Sequence, residues 1–406
     1  MEKIKVYGGC ALNGEIEADG SKNAALPIIF ATVATDGISE LSGVPDIGDV
    51  RVAIEIIEKL GAVVTRVEDT LVIDTRALSY KRPERDLTSR IRASSYLIGA
   101  CLARFGEFHL SEFGGCNFCN RPIDLHICAA EKLGVTNFCG TLTGKRLVGN
   151  EIRFPIRSVG ATINAIIMAT AAKGETRISP FASEPHVKTL IEFLISAGAK
   201  IDINGDELIV CESFLHGGRI RVIPDMIEAG TYLLLAPLTE GRVTVKNAAN
   251  LELDSFFDPI YKSGVDITYM GNSVTFSGAP KRPIYVKTAP HPGYPTDLQP
   301  EIAPLMAKYY GGNITESVWQ DRFSYLSSLK EFGVRYNVLR DTATVERTNL
   351  HGGITCATDL RGGAAALMCA LSVPGESEIK NAELIARGYS NYIDKLSKLG
   401  AKLIKE

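Results

Sequence analysis

The sequence predicts an α/β protein of six repeated units, each placing one buried helix within a surround of short strands. Three observations carry this expectation. A short phrase recurs six times, as EKLGAVVTR around Gly61, EKLGVTNF around Gly134, ISAGAKIDI around Gly198, YKSGVDITY around Gly264, KEFGVRYNV around Gly333 and SKLGAKLIK around Gly400. These glycines stand 73, 64, 66, 69 and 67 residues apart, a spacing regular enough to mark a repeat. An alanine-rich apolar segment recurs in every unit, and the chain of 406 residues, 45% hydrophobic and 22% charged, can bury the core of two or three globular domains.

Within each unit the elements follow in a fixed order. Runs such as RVAIEIIEKL and IDLHICAAEKL carry apolar residues at i, i+3, i+4 and i+7, the pattern of an amphipathic helix. The glycine that follows suits a helix C-terminus, and the alternating residues after it suit a strand. The alanine-rich segments are KNAALPIIFATVA, ASSYLIGACLARFG, GATINAIIMATAAKG, AGTYLLLAPLTEG, TDLQPEIAPLMAKYYGG and GGAAALMCALSVPG. Small residues on nearly every face imply close packing all round, as for a helix inside a ring of sheets. Short β-like runs such as EFHLSEF, ETRISPF, RVTVKNA and NITESVW come next. Three units make a domain of ordinary size, and six make two.

Charge and cysteine usage narrow the function. A formal net charge of −3 offers no global attraction to nucleic acid or membrane, so an anionic ligand must be met by local cations. The N-terminal MEKIKVYGGC has no apolar signal region and no apolar run approaches a membrane span, which predicts a soluble cytoplasmic protein. Nine scattered cysteines read as reduced thiols, mostly core filler. GTLTGKR is too short between its glycines for a phosphate loop and lacks the magnesium-binding hydroxyl, and no G-x-G-x-x-G follows a strand. No cofactor and no metal are expected.

The starts of the alanine-rich helices bring together the polar residues: Ser21-Lys22-Asn23, Arg90-Ile91-Arg92, Ser158-Val159-Gly160, Glu228-Ala229-Gly230, Thr296-Asp297 and Asp359-Leu360-Arg361. Helix N-termini offer unpaired N–H groups that suit phosphate and carboxylate. Arg121, Arg322 and Arg387 add cations elsewhere. In GGCNFCNRPIDLH, Cys116 and Cys119 form a C-x-x-C without the second ligand pair that zinc needs. From the residues alone, a working thiol and two incidental loop cysteines both remain open.

The segments SKNAALP, GGCNFCNRPIDLH, SVGAT, the Glu184-Pro185 pair, TAPHPGYPTDLQ, ITESVWQDRF, TDLRGGAAL and RGY resemble the UDP-N-acetylglucosamine 1-carboxyvinyltransferase family of enolpyruvyl transferases, and the resemblance runs nearly end to end. It implies two inside-out α/β barrel domains, each of three repeated units. The first would span 22–223 and carry the Cys116 loop, the second would join 1–21 to 224–406, and the active site would lie in the cleft between them. The implied substrates are phosphoenolpyruvate and UDP-N-acetylglucosamine.

Position by position, Cys116 resembles the thiol that protonates C3 of phosphoenolpyruvate, and Asp297 the general base near the sugar 3′-hydroxyl. Cys119 stands where relatives usually carry glycine. Lys22, Arg92, Arg121, Arg361 and Arg387 resemble the cluster that binds phosphate and carboxylate, with Arg322 close by; Lys22 and Arg387 count among the catalytic set. Asn23, Glu184, Val318 and Asp359 resemble supporting contacts. Arg121, Pro122, Ile123, Asp124 and Leu125, with Ser158, Val159 and Gly160, resemble the uridine-diphosphate cradle. Two positions depart from the family pattern: Ile156, followed by Arg157, stands where relatives usually place lysine, and Met226 where they usually place arginine. These losses imply a weaker grip on the acceptor. A different acceptor, or a non-catalytic paralogue kept for ligand sensing, are the alternatives, and the complete set of Cys116, Asp297 and Arg387 weighs against the second.

Overall fold

The computed structural model describes residues 2–110, 113–114 and 122–406, which fall into two compact units: 2–19 with 224–406, and 20–110 with 113–114 and 122–223. Each unit has its own apolar core, built on three inner helices. In the second unit these are Lys22–Ala31, Leu97–Phe105 and Val159–Thr170, and in the first they are Met226–Thr239, Gln299–Lys308 and Leu360–Ser372. Every residue of Leu360–Ser372 is buried, as is every residue of Met226–Thr239 except Met226 itself. Alanine and glycine make this possible by letting helix axes approach closely. A Cβ on Gly99 would lie 2.7 Å from Oδ1 and 2.8 Å from the carbonyl oxygen of Asn164 on the neighbouring inner helix.

The outer helices have one buried face. Gly48–Lys59 turns Val50, Val52, Ala53, Ile56 and Ile57 inward together with Asp49, and its other charged residues outward. The glycine closing this helix and its five counterparts share a left-handed backbone: φ is 105° at Gly61, 90° at Gly134, 104° at Gly198, 100° at Gly264, 85° at Gly333 and 99° at Gly400. A side chain is disfavoured there, which explains why glycine recurs at this point of every repeat.

Among the described residues there are six sheets, three in each unit, five of them four-stranded with a shared topology. Arg219–Arg221 pairs in parallel with Ile38–Ser42, which pairs antiparallel with Thr70–Asp74, which pairs antiparallel with Val63–Val67. The sixth has three described strands, Glu107–His109, Thr141–Thr143 and Thr136–Phe138. The N-terminal segment completes two sheets of its own unit. Lys3–Gly8 runs antiparallel between Gly375–Lys380 and Lys402–Lys405, and Asn13–Glu17 lies parallel to Arg242–Lys246. The last repeat thus takes its central strand from the other end of the chain.

The expectation that the cysteines are mostly core filler is wrong. Of the described cysteines only Cys101 and Cys369, on inner helices, are buried, whereas Cys10, Cys128, Cys139 and Cys356 are exposed on loops, an outer helix and an edge strand. Among the described residues no helix is long and apolar enough to cross a membrane.

Candidate active site

In the unit of 2–19 and 224–406, Asp297 lies in a 3₁₀ turn, Thr296–Leu298, that leads into the inner helix Gln299–Lys308. Its half-exposed carboxylate is held between two buried guanidinia: Arg322 Nη2 donates to Oδ1 at 2.9 Å and Arg361 Nη2 to Oδ2 at 3.1 Å. Each arginine gives one nitrogen to the carboxylate, and a guanidinium carries five N–H donors.

Each arginine is positioned by its own element. Arg361 is the second residue of Leu360–Ser372, whose N-cap is Asp359; Asp359 Oδ1 accepts from the N–H of Arg361 at 2.8 Å and of Gly362 at 3.1 Å. Asp359 therefore has a capping role that its residue type alone explains. Arg361 Nη1 donates to Tyr389 Oη at 3.1 Å. Arg322 opens the 3₁₀ turn Arg322–Tyr325, and the loop before it is tied down by the buried Glu316. That carboxylate accepts from Thr288 Oγ1, Thr296 Oγ1, Val318 N and Trp319 N at 2.8, 2.8, 2.8 and 3.0 Å. Glu316 thereby joins the residue before Asp297 to the segment carrying Val318. Arg387 ends the 3₁₀ helix Ala382–Arg387, two residues before Tyr389.

In the unit of 20–223, Lys22 opens an inner helix with its Nζ 3.4 Å from Asp49 Oδ2, and Asn23 follows it on the same turn. Arg92 begins the 3₁₀ turn Arg92–Tyr96, while Arg90 is exposed beside Glu55 and lies outside any helix start. Pro122 and Ile123 precede the helix Asp124–Lys132, and Ser158 caps Val159–Thr170 with Oγ accepting from Ala161 N at 3.4 Å. The buried His126 locks these starts together. Asn164 Nδ2 lies 2.7 Å from His126 Nδ1 and 3.2 Å from the carbonyl oxygens of Ser95 and Gly160, and Asn164 Oδ1 accepts from Gly99 N at 2.6 Å. Gly160 faces the imidazole so closely that a Cβ would stand 2.8 Å from His126 Cε1. Burial, with the Arg92 charge adding to it, pushes the His126 pKa down to about 4, so the ring is neutral at pH 7.

Glu184 is the N-cap residue of Pro185–Ser196, and among the described residues its buried Oε2 has no hydrogen-bond partner. Arg157 is engaged, with Nη1 2.6 Å from Asp206 Oδ1 and 2.7 Å from Phe181 O, whereas Ile156 is 63% exposed. Met226 packs against the core of its own unit, that of 2–19 and 224–406. Cys116, Cys119 and Arg121 lie outside the described residues. The structure thus joins Asp297, Arg322, Arg361 and Val318 in one network, and the starts at Arg92, Asp124 and Ser158–Gly160 in another. Sequence reasoning missed Glu316, Tyr389, Glu301, His126 and Asn164. Glu316 and Tyr389 stand inside the quoted motifs ITESVWQDRF and RGY, which was their only signal. Among the described residues no group of three or more His, Cys, Asp or Glu could hold a metal ion.

The same architecture occurs in solved enolpyruvyl transferases. The enzyme NikO from Streptomyces tendae superposes with a TM-score of 0.88 at 25% identity, covering 100% of this chain and 98% of its own. An EPSP synthase from Acinetobacter baumannii reaches 0.73 at 17% identity over 100% of both chains, a likeness of fold alone. The class is that of the enolpyruvyl transferase fold. The family model for EPSP synthase (3-phosphoshikimate 1-carboxyvinyltransferase) matches residues 6–396, and the chain belongs to that family. Among curated relatives, the UDP-N-acetylglucosamine 1-carboxyvinyltransferase of Halothermothrix orenii is 37% identical over 100% of both chains. The UDP-N-acetylglucosamine 1-carboxyvinyltransferase 2 of Clostridium acetobutylicum is 38% identical, again over 100% of both.

Proposed function

We propose that this chain transfers the enolpyruvyl group of phosphoenolpyruvate to the 3′-hydroxyl of UDP-N-acetylglucosamine and releases phosphate, the first committed step of peptidoglycan synthesis in the cytoplasm and so a requirement for cell shape and division. The observation that carries this reading is the likeness, over the whole length of both chains, to relatives bearing that name. The Asp297 carboxylate between Arg322 and Arg361 supports it chemically.

In the addition step Asp297 takes the hydroxyl proton, the sugar oxygen bonds to C2 of phosphoenolpyruvate, and C3 receives a proton from the Cys116 thiol. An enol ether carbon is a weak base, so the donor must be held against it. In the elimination step C3 loses a proton, the C2–O bond to phosphate breaks and the enol ether of the sugar remains. Lys22, Arg92, Arg121, Arg361 and Arg387, with Arg322 nearby, would hold the phosphate and carboxylate through the tetrahedral adduct. Arginine forks suit both groups. An anion bound at Arg322 and Arg361 would also compete for the N–H groups that hold Asp297.

The uridine diphosphate would lie along Pro122–Leu125 and Ser158–Gly160, supported by Asn23, Glu184, Val318 and Asp359. Arg157 pairs with Asp206 at the surface, and Ile156 puts no cation at its own position. We expect weaker acceptor binding than in typical relatives, tightened by Ile156→Lys. Cys116, not Cys119, would be the thiol alkylated by fosfomycin; peptide mass mapping reads this directly, and a label on Cys119 alone would reverse the assignment.

Phosphate release measured with phosphoenolpyruvate and a panel of acceptors tests the function. Release with UDP-N-acetylglucosamine is expected; release only with shikimate 3-phosphate or another hydroxyl compound would move the chain to a different acceptor.

A further inference from the structure

The network around Asp297 continues inward to a carboxyl group that the reaction scheme does not use. Glu301 lies on the inner helix Gln299–Lys308 and is fully buried. Its Oε1 is 3.2 Å from Tyr389 Oη, which also accepts from Arg361 Nη1 at 3.1 Å and sits 2.9 Å from Thr231 Oγ1. Among the described residues Glu301 Oε2 has no hydrogen-bond partner, and neither amide atom of the adjacent Gln299 has one.

Counting protons identifies the charge state these contacts require. Thr231 has one hydroxyl proton and donates it to Ile227 O at 2.8 Å. The single proton of Tyr389 then faces two acceptors, Thr231 Oγ1 at 2.9 Å and Glu301 Oε1 at 3.2 Å, and cannot serve both. An uncharged Glu301 resolves the competition: its own proton fills the contact with Tyr389, and the phenol proton is left for the shorter contact with Thr231. The unpartnered Oε2 agrees, because an unmet carbonyl oxygen in the interior costs far less than an unmet share of a negative charge.

We infer that Glu301 is a positioning residue for the transfer: as an uncharged acid it donates to Tyr389, and Tyr389 holds the Arg361 guanidinium in the orientation that grips Asp297. This rests on the reading of Asp297 as the base. The groups that bear on Glu301 are Arg361 and Arg322, which favour its ionised form, Asp297, which opposes it, and the buried phenols Tyr294, Tyr325 and Tyr389. Burial outweighs both guanidinia and raises the Glu301 pKa from 4.5 to about 8. Once Glu301 ionises, the Tyr389 proton turns to the new carboxylate and Arg361 lies between two anions instead of gripping one.

The experiment is the pH dependence of kcat for the wild-type enzyme, Glu301→Gln and Glu301→Leu, with Asp297→Asn in parallel. Glutamine keeps an uncharged donor for Tyr389 and does not titrate. Glu301→Gln is expected to stay within about threefold of wild type at pH 7 and to retain its turnover above about pH 8, where the wild type declines. Glu301→Leu is expected to lose about tenfold or more at every pH. Superimposable profiles of wild type and Glu301→Gln above pH 8 would overturn the inference, as would a glutamine variant no better than the leucine one. If the leucine variant does not fold, the comparison of wild type with glutamine still decides. Full turnover in Asp297→Asn would instead remove the parent reading of the base.

Discussion

At the scale of single residues, the site depends on charge held at fixed orientation. Replacing Asp297 by asparagine keeps its shape, leaves one acceptor oxygen where Arg322 and Arg361 now each have their own, and removes the base. Turnover should fall by about two to four orders of magnitude with substrate affinity largely kept, and steady-state kinetics separate the two. A raised KM with unchanged kcat would make Asp297 a binding residue only. The sequence made Asp297, Arg322 and Arg361 legible because they stand in motifs that resemble a family's. It did not disclose that the three touch, since Asp297 and Arg361 are 64 positions apart and only the fold pairs them. Glu301 and His126 were illegible for a different reason. A lone titratable residue on a helix, an inner one for Glu301 and an amphipathic outer one for His126, signals nothing until its partners are known: Tyr389 for one, Asn164 for the other.

At the scale of elements, the repeat was legible because it rests on local physics. Each outer helix ends at a glycine with positive φ, and each inner helix is small enough on all sides to be enclosed. What periodicity could not reveal is which strand completes which sheet. Lys3–Gly8 occupies the place in the last repeat that a hairpin strand fills elsewhere, a pairing across nearly the whole chain. Helix starts were read less well. Thr296–Leu298 and Arg92–Tyr96 are 3₁₀ turns ahead of the α-helices, so Asp297 and Arg92 stand on the approach to a helix and not on its first turn. The closeness of the inner helices gives a stability prediction. Gly99→Ala would push a methyl group against both the side chain and the backbone of Asn164. Backbone cannot give way as a flexible side chain does, so the cost should be about 1–3 kcal/mol in urea unfolding, together with disturbance of the His126 contact. An alanine variant as stable as wild type would mean that these helices separate without penalty.

At the scale of the whole molecule, the two units carry buried titratable groups with opposite pH dependence. In the unit of 20–223, the depressed pKa of His126 means that its contribution is present above pH 6.5 and is lost as pH falls through about 4. In the unit of 2–19 and 224–406, the raised pKa of Glu301 means that its contribution is present below pH 4.5 and is lost as pH rises through about 8. Glu301→Gln should therefore gain on wild type by about 1.4 kcal/mol per pH unit between those limits, read as the difference in urea unfolding at pH 5 and pH 8; a constant difference would mean that Glu301 is ionised throughout. The central claim is that enolpyruvyl transfer proceeds by addition and elimination, with a proton entering and leaving C3. Turnover of phosphoenolpyruvate and UDP-N-acetylglucosamine in deuterium oxide, read by proton NMR, tests it most directly. The expected result is an enol ether of the sugar whose vinyl positions carry deuterium. Product with its vinyl protons intact, or phosphate released with no enol ether formed, would contradict it.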